Sequence, residues 1–560
     1  MLKLSTFPFK TLKTKPKISD NKSTSLLLQW GYIRQAMAWA YEFLPMGYRV
    51  YKNIEDIVRD EMDKAWYHEM LMTILTPRDL WETTSRWDIP EYFKVPGWGN
   101  TEYRISPTNE ENVTNIFWEF IQSYKDLPTC VYHIQKKFRN EKRAKSWLLR
   151  WREFSMKDAY SFHKDIEDFE VFYEKVKEVY TNVFDRLWIG ADTVIADADG
   201  WAISDKNSHE FQTFLSIWED TIVQDSSWYS FNLELASWKA DDKNTWDSEK
   251  SMEYIDSVPE IVTMEKMTEY FAHPDWQMLK TVVYKTESGK YFSIIIRWDL
   301  DVNEIKVRKF VATKYNESYE QATEEDLEKL DTVRWFITPL KDSSLEMDNY
   351  ADDSLKTVMN FFAGANAIAK STKNVNISDL DINEFWDFNE PKEWFTSLNV
   401  EWEKLTFRKA CEVGNIFHLG TKYSKPFGLS FLNDENKMVD EVQMGCYGIG
   451  VSRLMWVMAE YFMSEKGIVW PENIAPYTYY IIVIWEDNLE AAEKMSKELE
   501  SKWESVILDD RMWRKIGFWQ KAGDCELFGI PNRIVISPKT LEAGGYELTK
   551  NGEESKIVSL

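Results

Sequence analysis

The chain of 560 residues carries 93 acidic and 68 basic side chains, a formal net charge of −25, and 44% of its residues are hydrophobic. This length can bury several cores, and the composition excludes a disordered chain and one that binds nucleic acid with its whole surface. Four cysteines without a C-x-x-C pair exclude a disulfide scaffold and give no zinc signature, so we expect no structural metal. Since neither a signal-peptide pattern nor 18 consecutive apolar residues occur, we expect a cytoplasmic protein without membrane contact.

One residue count is unusual. Tryptophan (27 residues) outnumbers glycine (21 residues), whereas average usage of about 7% would give roughly 39 glycines in a chain of this length. The excess of tryptophan and the shortage of glycine therefore suggest a common cause.

The N-terminal part has mixed α/β character. Apolar residues at helical spacing predict a helix through 54–65, and the apolar run 70–75, ended by Pro77, predicts a strand. A second, long amphipathic helix is predicted over 169–187.

The composition changes over residues 225–400. This stretch contains acidic loops, a predicted strand at 291–297 and a predicted helix of small residues at 361–369. We interpret this stretch as an inserted domain. In the last 90 or so residues, predicted strands at 479–484, 506–508 and 534–536 alternate with a helix through 489–499, which indicates a small α/β domain.

Residues 136–152 carry most of the chemical information. They hold eight basic side chains against the single acid Glu141, within a strongly acidic chain. A solvated helix face is the ordinary explanation of such a run, but Phe138, Trp147, Leu148 and the following Phe154 interrupt it as in two strands and their loop. Arginines held in this way can bind polyphosphate through bidentate guanidinium contacts.

Several ordered motifs resemble those of bacterial-type prolyl-tRNA synthetases, a family of class II aminoacyl-tRNA synthetases. Residues 138–141 (FRNE) and 150–162 (RWREFSMKDAYSF) resemble motif 2, and the others follow the family's order along the chain. They are 44–47 (LPMG, motif 1), 107–111 (PTNEE), 208–211 (SHEF), 412–424 (EVGNIFHLGTKYS) and 444–454 (MGCYGIGVSRL, motif 3). The resemblance covers nearly the whole chain.

The resemblance implies an α/β multidomain protein with an antiparallel-sheet catalytic core, an α/β editing insertion and a C-terminal α/β anticodon-binding domain. The implied boundaries are 1–224 and 401–470 for the catalytic domain, 225–400 for the editing domain and 471–560 for the anticodon-binding domain. The implied activity is ligation of L-proline to tRNA(Pro) through prolyl-adenylate, with ATP and Mg²⁺, in a homodimer.

The same resemblance assigns roles to residues. Thr108 and Glu110 are expected to receive the proline ammonium, with His418 lining that pocket, and Arg143 to touch the tRNA acceptor stem. Arg139 is expected to bind the α-phosphate and the proline carboxylate, and Arg453 the γ-phosphate. The other residues expected on ATP are Glu141, Arg150, Glu412 and, stacked on adenine, Phe154.

For the insertion, the resemblance implies hydrolysis of alanyl-tRNA(Pro), because a pocket shaped for proline cannot strongly reject the smaller alanine. Lys280 matches the family's essential lysine, and Asp352 and Gly364 match other residues of that pocket. Ser371 and Thr372 stand where the family usually has a histidine, which leaves open whether editing is active. An ordinary strand lysine is the alternative for Lys280.

Two other functions remain to be separated from this one. A catalytically idle tRNA-binding paralogue would be expected to lack Arg139, Arg453 or the 107–111 loop, all of which are present. A threonyl or seryl enzyme is disfavoured by the insertion between motifs 2 and 3 and by the KDAYSF run at 157–162.

The tryptophan excess leads to a separate hypothesis. Trp66, Trp188 and Trp503 follow predicted helix ends, where a left-handed glycine is the common residue. Trp81, Trp87 and Trp470 instead match tryptophans of the family. Tryptophan stands at other glycine-like family positions, namely 39, 147, 151, 201, 218, 298, 335 and 519. We hypothesise that the source reads UGA as glycine; an aromatic surface for carbohydrate or membrane binding is the rival explanation.

Overall fold

The computed structural model describes the chain except residues 10, 13–21, 38–39, 141–151, 201–202, 205–207, 217–219, 228, 257–263, 394, 465–466, 513–515, 551–552 and 560. The chain forms two compact units. The larger unit comprises residues 1–196, 200–220 and 409–560, and the inserted unit comprises 197–199 and 221–408.

The secondary structure alternates between short strands and helices along most of the chain. The helices are α1 (Lys22–Gln29), α2 (Pro45–Lys64), α3 (Arg78–Thr83), α4 (Glu110–Phe120), α5 (Ile166–Arg186), α6 (Met264–Phe271), α7 (Glu304–Lys314), α8 (Glu324–Lys329), α9 (Val451–Tyr461), α10 (Leu489–Ser501), α11 (Phe518–Leu527) and α12 (Pro538–Glu542). The strands up to motif 2 are β1 (Leu2–Lys3), β2 (Ile33–Met37), β3 (Ala40–Phe43), β4 (His68–Glu69), β5 (Leu75–Pro77), β6 (Lys94–Pro96), β7 (Glu102–Ile105), β8 (Thr129–Phe138) and β9 (Glu153–His163). Those that follow, to the end of the inserted unit, are β10 (Thr193–Ala198), β11 (Ser208–Phe214), β12 (Asp220–Gln224), β13 (Ser230–Asn232), β14 (Glu253–Asp256), β15 (Leu279–Thr286), β16 (Tyr291–Arg297), β17 (Tyr319–Gln321), β18 (Asp348–Asp352), β19 (Phe361–Gly364), β20 (Lys370–Val375) and β21 (Glu384–Trp386). The remaining strands are β22 (Thr406–Gly420), β23 (Phe431–Leu432), β24 (Met438–Val439), β25 (Gln443–Ile449), β26 (Tyr479–Val483), β27 (Val506–Asp509), β28 (Asn532–Ile536), β29 (Gly545–Lys550) and β30 (Lys556–Ser559).

A largely antiparallel sheet forms the centre of the larger unit. Its strands follow the order β4-β8-β9-β25-β22-β11, and every neighbouring pair except β4 and β8 is antiparallel. Alternate residues such as Ala159, Tyr447 and Ile416 point to one face, where they join a core with helices α2, α5 and α9. The side chains between them point to the opposite face. This confirms the predicted antiparallel-sheet core.

A second sheet in the larger unit contains the predicted C-terminal strands. Strands β1, β27, β26 and β28 run parallel in that order, and β29 and β30 continue the sheet antiparallel to them. The predicted helix through 489–499 is α10, which packs its apolar residues against β26 and β27. The alternation of strands and helices in the last part of the chain is thus confirmed.

The inserted unit is built on a mixed sheet of order β17-β15-β16-β18-β21 and a smaller sheet of order β14-β20-β19. The strand predicted at 291–297 is β16 and lies in the buried centre of the larger of the two sheets. The helix predicted at 361–369 is wrong: residues 361–364 form strand β19, which pairs with β20. The strand predicted over 70–75 is also wrong, because strand pairing there is limited to β4 at 68–69 and β5 from Leu75.

Candidate active site

The face of the central sheet opposite helices α2, α5 and α9 contacts a buried carboxylate, Glu110, at the first position of α4. The Thr108 hydroxyl donates to both Glu110 carboxylate oxygens, at 2.6 and 2.7 Å, and the Cys446 thiol lies 3.2 Å from Oε1. The amino-terminal end of a helix favours negative charge. The structure thus brings Thr108 and Glu110 together, as expected for a pair that receives an ammonium group.

A guanidinium that the sequence did not single out lies beside this carboxylate. Arg86 Nη1 is 3.2 Å from Glu110 Oε2 and 2.9 Å from Glu111 Oε1, and all three side chains are buried. Burial raises the pKa of the Glu111 carboxyl, and the Arg86 charge opposes that effect. Arg86 lies between Trp81 and Trp87 and belongs to none of the motifs, so no signal in the sequence pointed to it.

Strands β8 and β9 supply a second buried polar cluster, which contacts the loop that carries Thr108 and Glu110. Lys137 Nζ lies 2.9 Å from Asp158 Oδ2 and 2.9 Å from His133 Nε2, and it donates to the side-chain oxygen of Asn109. Burial alone raises the pKa of the Asp158 carboxyl, but the Lys137 and His133 contacts outweigh it and hold that pKa well below its usual range. Burial and the Lys137 charge lower the pKa of His133 to about 4. His133 is therefore neutral near pH 7, and Lys137 with Asp158 forms the ion pair.

The arginines predicted for the phosphates lie directly after strand β8 and at the beginning of helix α9. The Arg139 guanidinium lies over the Phe154 ring, 5.2 Å from its centroid, and Arg139 N donates to the Arg152 carbonyl at 3.0 Å. Arg453, in the first turn of α9, donates from Nη1 to Glu412 Oε2 at 2.8 Å and to the Glu412 carbonyl at 2.9 Å. The pairs Arg139 with Phe154 and Arg453 with Glu412 are thus formed.

Other predicted site residues lie elsewhere. Glu141, Arg143 and Arg150 fall outside the described residues. The His418 ring stacks on Phe169 of α5, with centroids 4.1 Å apart, on the helix-packed side of the sheet. The structure therefore brings His418 together with α5 and not with Thr108 and Glu110.

The predicted editing residues lie on neighbouring strands of the inserted unit. Lys280 on β15 is partly exposed and contacts Asp301, with Nζ 3.3 Å from Oδ1. Met278 and Phe362, each two residues before Lys280 and Gly364, form a parallel bridge, and Gly364 pairs with Ser371 across β19 and β20. Lys280, Gly364 and Ser371 thus belong to one region of the fold.

Asp352 has a different environment from Lys280. Its carboxylate is buried and accepts hydrogen bonds from Ser354 N (3.0 Å), Phe388 N (2.8 Å) and the Asn389 amide (3.1 and 3.2 Å). Burial raises the pKa of this carboxyl, and the hydrogen bonds oppose the rise. These contacts give Asp352 a scaffold role in joining two loops.

Comparison with known proteins identifies the family. The model of the tRNA synthetase class II core domain (G, H, P, S and T) matches residues 93–462. Enzymes named proline–tRNA ligase are 36% identical over 557 residues in Bacillus subtilis (98% of this chain, 96% of the relative) and 37% identical over 557 residues in Persephonella marina (98% and 96%). This chain belongs to the proline–tRNA ligase family of class II synthetases.

The fold of this chain is similar to that of a solved prolyl-tRNA synthetase. The enzyme from Cryptosporidium parvum, crystallised with halofuginone and AMPPNP, aligns with a TM-score of 0.55 over 96% of this chain and 74% of that one, at 12% identity. Among the described residues, no helix is long and apolar enough to cross a membrane.

Proposed function

We propose that the protein activates L-proline with ATP to prolyl-adenylate and transfers the prolyl group to tRNA(Pro). The observation that carries the proposal is the charge balance around Glu110. One guanidinium, from Arg86, lies between the two buried carboxylates of Glu110 and Glu111. Because this single guanidinium is shared between two acidic side chains, Glu110 can accept a further cation, which the secondary ammonium of proline supplies.

The first step requires the proline carboxylate to attack the α-phosphorus of ATP in line, with release of pyrophosphate. Catalysis of such a step is mainly positioning and neutralisation of charge. We assign Thr108 and Glu110 to the ammonium of proline, and Arg139 to its carboxylate and the α-phosphate. In the second step a ribose hydroxyl of tRNA(Pro) attacks the prolyl carbonyl and AMP leaves; Arg143 is assigned to the acceptor stem.

The remaining residues are assigned to the nucleotide. Phe154, already covered on one side by Arg139, would offer its ring to adenine. Arg453 would turn from Glu412 towards the γ-phosphate, and Glu141 and Arg150 complete the set. Mg²⁺ would arrive with ATP and neutralise phosphate charge, with Glu412 as a carboxylate available to it. No group of three or more acidic, histidine or cysteine side chains in the described chain could hold a metal ion by itself.

The test is proline-dependent ATP–pyrophosphate exchange, compared across amino acids. We expect exchange with proline and at least tenfold less with threonine or serine, and we expect Glu110→Gln to lose proline dependence while the protein still folds. An absence of proline-dependent exchange, or better exchange with threonine or serine, would contradict the proposal.

We also propose that the inserted unit hydrolyses alanyl-tRNA(Pro), with Lys280 in contact with the tRNA substrate and Gly364 lining the pocket. Two observations support this proposal: Lys280 is partly exposed, and Gly364 pairs with Ser371 across strands β19 and β20. Deacylation of alanyl-tRNA(Pro) should fall at least tenfold in Lys280→Ala, whereas Lys285→Ala on the same strand serves as the control. Equal rates in wild type and Lys280→Ala would remove Lys280 from the reaction.

The family membership further leads us to propose a homodimer that acts in the cytoplasm. Analytical ultracentrifugation across a range of protein concentrations tests the dimer, and a monomer at all concentrations would refute it.

A further inference from the structure

We propose that Arg86 is a positioning residue for amino acid activation: it fixes Glu110 in the orientation and charge that receive the proline ammonium. This inference deepens the proposed function and rests on it. Arg86 itself does not contact the substrate in this proposal; it acts through Glu110.

Hydrogen bonds hold the two terminal nitrogens of the guanidinium, whereas Nε is buried without a hydrogen-bond partner among the described residues. Besides its contacts to Glu110 and Glu111, Nη1 donates to the Tyr423 hydroxyl at 2.9 Å and Nη2 donates to the Tyr92 hydroxyl at 2.9 Å. Its central carbon lies 5.4 to 5.7 Å from the ring centroids of Trp81, Tyr92 and Tyr423. A planar donor enclosed by three rings has little rotational freedom, so the carboxylate it binds is held in a fixed position.

The charge of Arg86 matters as much as its shape. Glu110 has two other donors, the Thr108 hydroxyl and the Cys446 thiol, and neither carries a charge. Without Arg86, two neighbouring buried carboxylates would repel each other and retain a proton between them near neutral pH. A protonated acceptor cannot pair with the ammonium, so proline would bind weakly at pH 7 and better at higher pH.

Few other groups near Glu110 can titrate in this range. Those that face it are Arg86, Glu111, Tyr160, Tyr423, Cys446 and His133. Burial raises the pKa of both tyrosines and of the thiol, and it lowers the pKa of His133 to about 4. Burial also lowers the pKa of Lys157, which interacts with Asp158 and Cys446, to about 7. Since Lys157 is present in the wild type as well, the difference between the proline pH profiles of Arg86→Gln and the wild type reports the two carboxylates.

The experiment compares Arg86→Gln with Arg104→Gln in proline-dependent ATP–pyrophosphate exchange from pH 6 to 9. Arg104 is the matched control because it is buried by Trp87 and Tyr92, yet its guanidinium donates to the Ile89 carbonyl and not to a carboxylate. We expect Arg86→Gln to raise the proline KM about tenfold or more at pH 7, to leave the ATP KM within about twofold, and to recover as pH rises. Arg104→Gln should change thermal stability without this selective effect.

Two further variants keep the test decisive if Arg86→Gln does not fold. Arg86→Lys retains the charge but not the fork, so it should show an intermediate proline KM and the wild-type pH profile. Arg86→Gln/Glu111→Gln removes one carboxylate as well and should restore the pH profile but not the KM. An unchanged proline KM in these variants, or equal changes in the proline and ATP KM, would overturn the role of Arg86. Loss of proline exchange by the wild type would instead overturn the proposed function.

The backbone at six tryptophans has a conformation typical of glycine, and we infer that these six positions are glycine in the protein that the source cell makes. Tryptophans 66, 188, 335, 402, 485 and 503 have φ between 61° and 75°. This left-handed region favours glycine, because a Cβ atom crowds the backbone there. The other residues with positive φ include five asparagines, which tolerate this region, but a bulky aromatic residue does not.

Three of the six tryptophans occupy the same helix-ending motif. After α2, Trp66 N donates to the Asp63 carbonyl and Tyr67 N to the Met62 carbonyl, at 3.0 and 3.1 Å. Trp188 after α5 and Trp503 after α10 have the same pair of bonds. A true glycine, Gly529 with φ 59°, forms the same motif after α11. The motif places a left-handed residue at this position, most often glycine.

Burial separates the six tryptophans from those in the core. The side chain of Trp503 is 97% exposed and that of Trp402 is 86% exposed, whereas Trp30, Trp81 and Trp470 are at most 1% exposed. An aromatic binding surface explains exposure, but it does not explain the choice of left-handed backbone positions. Two other glycine-like positions do not join the set, because neither has a positive φ: Trp298 is buried against Met278 and Phe362, and Trp519 is exposed on α11. Tryptophans 39, 147, 151, 201 and 218 lie outside the described residues.

A UGA codon translated as tryptophan here but as glycine in the source accounts for the six positions and for part of the excess. The coding DNA should therefore carry UGA at the six positions and UGG at Trp30, Trp81 and Trp470. Expression of the six-position Trp→Gly variant should raise the melting temperature, since strain is removed at each site. The control variants Trp98→Gly, Trp118→Gly and Trp246→Gly change exposed tryptophans without positive φ and should not raise it. UGG at the six positions, or equal stabilisation by the controls, would overturn the inference.

Discussion

At the scale of single residues, the buried Lys137–Asp158 pair connects strands β8 and β9 to the loop that carries Thr108 and Glu110. Lys137 Nζ also binds the side chain of Asn109, the residue between them. Lys137→Met should therefore lower the free energy of unfolding by about 3–5 kcal/mol, because it leaves the Asp158 carboxylate buried without its partner. Urea unfolding followed by circular dichroism measures this loss.

The double variant Lys137→Met/Asp158→Asn provides the control. Removing both charges should recover a large part of the stability lost by Lys137→Met alone, since no unpaired charge then remains buried. Equal stability of the single variant and the wild type would show that the pair contributes nothing to the fold.

His133 predicts a pH dependence of stability. Its pKa is about 4 in the folded protein and 6.5 ordinarily, so between these values the unfolded chain binds a proton that the folded protein does not. The free energy of unfolding should therefore fall as the pH drops from 6.5 to 4, by up to about 3 kcal/mol from this residue. Urea unfolding at several pH values measures the slope. His133→Gln, which titrates no proton, should show a shallower slope, and identical slopes would contradict the assignment.

At the scale of elements, periodicity predicted the long helices α2 and α5 and strand β16 because each has a regular apolar pattern. It failed where the pattern was short. Residues 361–369 are small and suit a helix, but strand β19 forms there because it pairs with β20. Pairing with a distant strand is a tertiary effect, which local composition does not encode.

Gly364, at the end of β19, gives a prediction at this scale. A Cβ atom on Gly364 would lie 2.2 Å from the carbonyl oxygen of Phe336, which is backbone and cannot move aside cheaply. Gly364→Ala should therefore destabilise the inserted unit by roughly 2–3 kcal/mol, measured by differential scanning calorimetry. Gly523→Ala is the matched control: it lies within α11 with open space around it and should stabilise by about 0.5–1 kcal/mol. A stable Gly364→Ala protein would show that the backbone relaxes there.

At the scale of the whole molecule, the sequence predicted the candidate site residues better than the buried residues that hold them in place. Thr108, Glu110, Arg139 and Arg453 lie in motifs that the resemblance identifies. Arg86 belongs to no motif, and Lys137 lies in the basic stretch 136–152 without an assigned role. Their contacts with the loop at 107–111 arise only in the folded protein. The positive φ of the six tryptophans agrees with the sequence hypothesis at positions 66, 188, 335 and 503, and the backbone added 402 and 485.

The division into two units predicts that stability can be lost in one without the other. Asp352 in the inserted unit accepts hydrogen bonds from Ser354, Phe388 and Asn389, so Asp352→Ala leaves buried donors without an acceptor. Because the units have separate cores, calorimetry should show the transition of the inserted unit moving down by several degrees while the transition of the larger unit stays within about 1 °C.

Activity should divide in the same way. Asp352→Ala should retain ATP–pyrophosphate exchange within about twofold and lose deacylation of alanyl-tRNA(Pro), because only the scaffold of the inserted unit is weakened. Lys280→Ala should lose the same deacylation with an unchanged melting profile, which separates a contact residue from a scaffold residue. If Asp352→Ala moved both thermal transitions together and reduced both activities, the two units would unfold as one, and the separation of activation from editing would be refuted.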